Sequence, residues 1–143
     1  MGRYIWLIVV IGLGAIVPVW GQNLKFDSAG HFKIVQFTDV HYVPNNPKSK
    51  AAIQLIEKVL DLENPDLVVL TGDIVTGRPA RIGWDSVLDP ILRRNIPFIV
   101  TLGNHDDEQD LSRRQVAELV TSYPLNLNTV RVDSVTGYLN GVF

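Results

Sequence analysis

Three short clusters in this 143-residue chain carry side chains that can do chemistry: Asp39-Val40-His41, Gly72-Asp73 and Gly103-Asn104-His105-Asp106. Their donors are carboxylate oxygen, imidazole nitrogen and amide oxygen, a set that suits divalent transition metals and, through histidine, proton transfer. The chain has no cysteine, which excludes a disulfide framework, a thiolate zinc site, a cysteine nucleophile and a cysteine-linked lipid anchor. Any metal must therefore be held by oxygen and imidazole. Each cluster alone is a weak signal, because Asp-x-His recurs by chance and Gly-Asp or Gly-Asn openings also make ordinary turns and helix caps. Their spacing is the stronger signal. Asp73 follows Asp39 by 34 positions and Asn104 follows Asp73 by 31, each separation matching one strand-plus-helix unit.

The elements that must position these clusters can be read from hydrophobic periodicity. His31 to Thr38 (HFKIVQFT) is rich in β-branched and aromatic residues and reads as a strand. From about Lys48 to Leu62, the apolar residues Ala52, Ile53, Ile56, Val59 and Leu60 recur at helical spacing, and Asn64-Pro65-Asp66 ends the segment. Leu67 to Leu70 (LVVL) is an uninterrupted apolar run, as expected for a parallel strand covered on both faces, and Thr71-Gly72-Asp73 stops it. Trp84, Val87, Leu88 and Ile91 define a second helix, Phe98 to Leu102 a third strand, and Leu111 to Ser122 a third helix. Val130 to Val132, Asp133 to Gly137 and Tyr138 to Phe143 read as a hairpin. The order βαβαβ implies a right-handed parallel layer. Such layers bind ligands just beyond the carboxyl ends of their strands, and all three clusters fall there. No strand is followed by a glycine-rich phosphate or dinucleotide loop, so a nucleotide-cofactor reading is set aside.

The pattern D-x-H, G-D, G-N-H-[DE] resembles that of the calcineurin-like metallophosphoesterase family, matched here by Asp39/His41, Gly72/Asp73 and Gly103/Asn104/His105/Asp106. The resemblance spans roughly residues 32 to 143, and the run FKIVQFTDVHY looks most like the purple-acid-phosphatase-like branch. It implies an α/β fold, the N-terminal half of a two-sheet β-sandwich flanked by helices, with residues 31–143 forming that part of the domain. It also implies hydrolysis of phosphate esters by a water activated between two divalent or trivalent ions (Fe, Mn or Zn). In that scheme Asp39 and His41 hold one ion, Asp73 bridges both and Asn104 reaches the second. His105 is the acid or phosphate-binding group beside the leaving oxygen, and Asp106 orients the His105 ring. Asn104 and His105 also contact substrate.

Two departures qualify the match. Purple enzymes proper carry a tyrosine ligand three residues after the second-motif Asp, where this chain has Thr76, and position 41 is His, so an iron–tyrosinate centre is not implied. The family also uses later histidines, including a G-H-x-H near the end of the domain, whereas the three histidines here are His31, His41 and His105. The expectation is a truncated piece of a longer domain holding half of the site. The alternatives are a nuclease or cyclic-nucleotide phosphodiesterase with the same core, and a fragment incompetent for catalysis.

The chain carries 13 basic and 15 acidic residues, a net charge of −2 with a pI near 5.8, which excludes a basic nucleic-acid-binding patch. At 46% hydrophobic and 20% charged, it reads as one ordinary globular domain. Tyr4 to Trp20 is free of charge and follows Arg3, and Val19-Trp20-Gly21 resembles a cleavage site. Residues 1–21 thus read as a signal peptide followed by a polar lead-in at 22–30, giving an exported (periplasmic or extracellular) protein; the alternative is a membrane anchor formed by residues 4–20. His31 reads as a surface residue, Asp107, Glu108 and Asp110 as a solvated approach to the third helix with Asp110 as its N-cap, and Arg93/Arg94 and Arg113/Arg114 as solvated faces. Arg78 and Arg81 lie in the loop after Asp73, where Arg78 is a candidate contact for a substrate phosphate.

Overall fold

The computed structural model describes residues 24–132 and 134–141. The apolar stretch behind the export expectation lies outside them. Among the described residues, no helix is long and apolar enough to cross a membrane.

The fold is α/β: a parallel sheet in the order β1-β2-β3, formed by β1 (Ile34–Phe37), β2 (Leu67–Thr71) and β3 (Phe98–Thr101). The helices α1 (Pro47–Glu63), α2 (Ala80–Leu92) and α3 (Arg113–Thr121) alternate with the strands. In the register Val35↔Val68↔Phe98 and Phe37↔Leu70↔Val100, one face of the sheet is apolar throughout. Val68, Leu70, Phe98 and Val100 on that face share one core with Ile56 and Leu60 of α1, Trp84, Val87, Leu88 and Ile91 of α2, and Val116 and Val120 of α3. Burial of this apolar surface is what holds the layers together.

The opposite face is covered unevenly: β2, the strand expected to be covered on both faces, is buried or half-buried along its length, while the flanking strands are more open. Ile34 and Gln36 of β1 are exposed, Val69 and Ile99 are half-buried, and Thr101 is exposed. Gln36 Nε2 donates to Thr71 Oγ1 across this face at 2.9 Å. Apolar character in LVVL signals burial, but the depth of cover on each face depends on what packs there.

The element ends follow local chemistry. β1 starts three residues later than expected because His31 is drawn into a turn on Asp27, whose Oδ1 accepts the His31 N–H at 2.8 Å. Asn46 caps α1 by accepting from the Lys48 N–H, and Asn64 in the left-handed region closes it. The cap of α3 is Ser112, reciprocated by Gln115 in a capping box, rather than Asp110. Asp110 instead accepts the Ala80 N–H at 2.8 Å, capping α2, whose own Pro79 offers no side-chain cap.

The C-terminal hairpin expected over 130–143 lies partly outside the described residues, and among the described ones no ladder forms. The Leu139 N–H does reach Val130 O at 3.0 Å, but the outer edge of β3 is satisfied by the segment around Asn126. Phe98 N–H donates to Leu125 O and Leu127 N–H to Phe98 O, and beyond them Asn128 replaces main chain with side chain. Its Oδ1 accepts the Val100 N–H at 2.7 Å, while Nδ2 donates to Val100 O at 3.1 Å and to Leu139 O at 2.9 Å. One amide thus finishes the sheet edge and ties the last segment to it. Asn128→Ala should cost about 2 kcal/mol, since buried peptide groups lose their partners; urea unfolding measures this, and hydrogen exchange at Val100 should accelerate.

Candidate metal centre

The three clusters meet at the carboxyl ends of the strands through main-chain bonds that continue past the regular sheet. Asp39 N–H donates to Gly72 O at 3.1 Å, His41 N–H to Asp73 O at 2.9 Å and Tyr42 N–H to Ile74 O at 2.9 Å. Here the backbone leaves the strand conformation: Asp39, His41 and Asp73 all lie in the left-handed region, with φ of 51°, 48° and 53°. Non-glycine residues adopt this region uncommonly, Asp, Asn and His more readily than the rest, and here three of them do so within one corner.

Two glycines allow β2 and β3 to approach. Gly72 has φ 94°, and a Cβ there would lie 2.7 Å from Gly103 Cα. A Cβ on Gly103 would lie 2.2 Å from Asp73 Oδ1. Only glycine at 103 leaves space for the Asp73 carboxylate in its observed place.

One ligand atom from each of Asp39, His41 and Asp73 falls within 4.8 Å of the others. Thr38 Oγ1 donates to Asp39 Oδ2 at 2.7 Å, leaving Oδ1 3.8 Å from His41 Nε2. Asp73 Oδ1 accepts the His105 N–H at 2.9 Å, which orients that carboxylate. Two carboxylates and an imidazole converging on one point suit a borderline or hard transition-metal ion, so the residues present fit the group that the motifs imply. The site is shallow, because the Asp39 and His41 side chains are 63% and 49% exposed. Asn104 is exposed at the end of β3, and Arg78 is exposed in the loop after β2. Among the described residues, neither side chain has a protein hydrogen-bond partner. A groove of about 640 Å³ lined by Tyr42, Lys50, Asp85 and Asp89 includes none of the three ligands.

The loop after β3 assigns its acids differently from the sequence reading. Asp106 is fully buried and does not orient the His105 ring. Its Oδ2 accepts from the Asp73 and Gly103 N–H groups at 2.9 and 2.8 Å, and its Oδ1 from Ile74 and Val75 at 2.9 and 3.1 Å. A buried carboxylate must find such donors, and here four main-chain groups saturate it. The ring is held by Glu108, whose Oε2 lies 2.6 Å from His105 Nδ1. That bond raises the His105 pKa above its ordinary value, with partial burial opposing and the charge of Glu108 adding to it.

Nor is Arg113 merely a solvated residue. It donates to Gly103 O at 2.6 Å and pairs with Asp107 at 2.8 Å, clamping the loop that carries Asn104 and His105. The contact between His105 and Glu108 is made across a non-helical turn, so helical spacing in the sequence did not signal it. No pattern announces the partners of Asp106 or the bond from Arg113 to Gly103, because those bonds run to backbone groups.

Comparison with known proteins accords with this geometry. A family profile for calcineurin-like phosphoesterases matches residues 32–141. The chain belongs to the calcineurin-like phosphoesterase family. Members of this family depend on two metal ions. The chain is 34% identical over 128 residues to the phosphatase DCR2 of Saccharomyces cerevisiae, covering 78% of this chain and 22% of that protein. It is 29% identical to probable inactive purple acid phosphatase 29 of Arabidopsis thaliana, covering 93% of this chain and 40% of the relative. It is 27% identical to probable inactive purple acid phosphatase 14 of the same plant, covering 76% and 32%. The chain thus spans less than half the length of these curated relatives. No solved structure matches it significantly.

Within this corner of the fold, Asp106 carries four main-chain bonds at once. Asp106→Asn places an amide donor against main-chain donors and removes charge from the remaining bonds. It should lower stability by about 3 kcal/mol, read as the shift in urea midpoint at constant slope.

Proposed function

We propose that this chain carries the N-terminal part of a metal-dependent phosphoesterase site and that the protein hydrolyses phosphate esters. The observation that supports this most is the convergence of Asp39, His41 and Asp73 to within 4.8 Å, with the His105 ring centroid 5.9 Å from that of His41. Asp39 and His41 would hold one ion, Asp73 would contribute to both and Asn104 to the second. When bound, such a pair lowers the pKa of a coordinated water and offsets charge on the phosphoryl group.

The chain's own residues do the rest. The His105 N–H bond fixes the Asp73 carboxylate so that it meets the ions without reorganising. Asn104, on the loop clamped by Arg113, presents its amide to a phosphoryl oxygen. The His105 ring stands beside the ligands and can supply a hydrogen bond, and then a proton, to the departing ester oxygen. Arg78, exposed in the loop after β2, is proposed to meet a substrate phosphate.

One specific observation favours a second reading. The two plant relatives named above carry the word inactive in their names, and a half-site that binds metal without turnover would fit a similar chain. Metal analysis of the purified protein, with assays on 4-nitrophenyl phosphate and bis(4-nitrophenyl) phosphate, separates the readings and divides monoesterase from diesterase. Metal uptake with ester hydrolysis is expected; metal uptake with neither ester cleaved would favour the inactive reading, and absence of metal uptake would sink both. The uncharged run Tyr4 to Trp20 supports export, which N-terminal sequencing of the mature protein tests by finding Gln22 first.

Asp73→Asn should weaken binding of Mn²⁺ or Zn²⁺ by at least about tenfold in calorimetric titration and abolish turnover, since a charged ligand is lost. Arg78→Ala should raise KM for phosphate esters several-fold with kcat little changed, and steady-state kinetics showing an unchanged KM would return Arg78 to the surface.

A further inference from the structure

We propose that Glu108 is the positioning residue of His105: by accepting the Nδ1–H bond it sets the tautomer and rotation of the ring and leaves Nε2 as the nitrogen that meets a bound phosphate ester. The argument begins with which acid is available. Asp106, next to His105 in sequence, is saturated by four main-chain N–H groups. Asp107 is taken by Arg113 at 2.8 Å, Asp110 by the Ala80 N–H, and Asp73 Oδ1 by the His105 main-chain N–H. Glu108 remains, and a turn in which its N–H approaches His105 O at 3.4 Å brings its carboxylate to Nδ1 at 2.6 Å.

A carboxylate on one ring nitrogen decides what the other can do. An acceptor at Nδ1 requires a proton there, so a neutral ring has its lone pair on Nε2 and a charged ring has its only uncommitted N–H on Nε2. Among the described residues, His105 Nε2 has no protein partner, and the ring stands against His41 of the metal triad with an interplanar angle of 52°. The pair is 42% and 57% exposed, and exposed pairs contribute little to folding stability. Its effect falls on the ring, as it does where carboxylates orient the imidazoles of metal sites.

The functional half of this inference rests on the phosphoesterase reading. In the step concerned, a water oxygen bonds to phosphorus and gives up a proton to solvent as the ester P–O bond breaks. The departing oxygen takes the Nε2 proton, and the ring is reprotonated from solvent. A phenolate with a nitro group needs that proton less than an alkoxide does.

The test uses ¹⁵N-histidine-labelled protein and two variants. With the ring neutral, wild-type His105 should show a protonated Nδ1 and an unprotonated Nε2. Glu108→Ala should move it to a tautomer mixture, and Glu108→Gln, which keeps an acceptor oxygen, should restore the wild-type pattern. In kinetics, Glu108→Ala should lower kcat for an alkyl phosphate by about tenfold or more. The fall should be smaller for 4-nitrophenyl phosphate, with KM and metal content unchanged, and Glu108→Gln should recover most of the loss. An unchanged tautomer in Glu108→Ala, or an equal fall on both esters, overturns the proposal. If the wild-type protein cleaves no ester while the tautomer responds as described, the phosphoesterase reading fails and the hold of Glu108 on the ring stands.

Discussion

The Asp106 carboxylate is the interaction on which the rest of the site depends. Two of its bonds go to the residues following Asp73, one to Asp73 itself and one to Gly103, so a single side chain joins the ends of β2 and β3. These N–H groups face a buried region where no regular strand continues to take them, and unpaired they would each carry a desolvation penalty. Saturating them with one charge permits the left-handed backbone at Asp73 to persist. The Asp73 carboxylate is in turn held by another main-chain N–H of the loop after β3, that of His105. Ligand geometry here is therefore a consequence of backbone satisfaction.

The same corner gathers several unfavourable features. Three residues sit at positive φ, two carboxylates approach one another and two glycines bring strands closer than any side chain would allow. Each has a cost of its own, and none improves the core. Positive-φ backbone also occurs elsewhere, at Asn64, Asn95 and Leu125 among others, but only at this corner does it coincide with two converging carboxylates, as expected where a site is preorganised for a cation. A bound metal would relieve the carboxylate repulsion.

The two faces of the sheet are unequal. Helices complete one face with a continuous apolar core, while the other retains exposed Ile34 and half-buried Val69 and Ile99. At the ligand-bearing end, β2, β3, α2 and the loop after β3 are tied together through Asp106, Asp110 and Arg113. The site thus inherits its rigidity from the finished half of the layer, and its shallowness from standing at the rim.

The alternation of strand and helix, the placing of Asp39, His41, Asp73 and Asn104 at successive strand ends, and the family were legible in the sequence, because hydrophobic period and motif spacing are local properties of the chain. The roles of the acids after β3 were not. Asp106, Asp107, Glu108 and Asp110 look alike as a run of charge, yet the fold sends one to four buried amides, one to an arginine, one to a histidine ring and one to the start of another helix. Asn128 completes the edge of β3 for the same reason, a role the sequence did not signal. Sequence determines which groups can accept a hydrogen bond; only tertiary structure decides which donors are left without partners, and buried donors claim the nearest acceptor the packing brings to them.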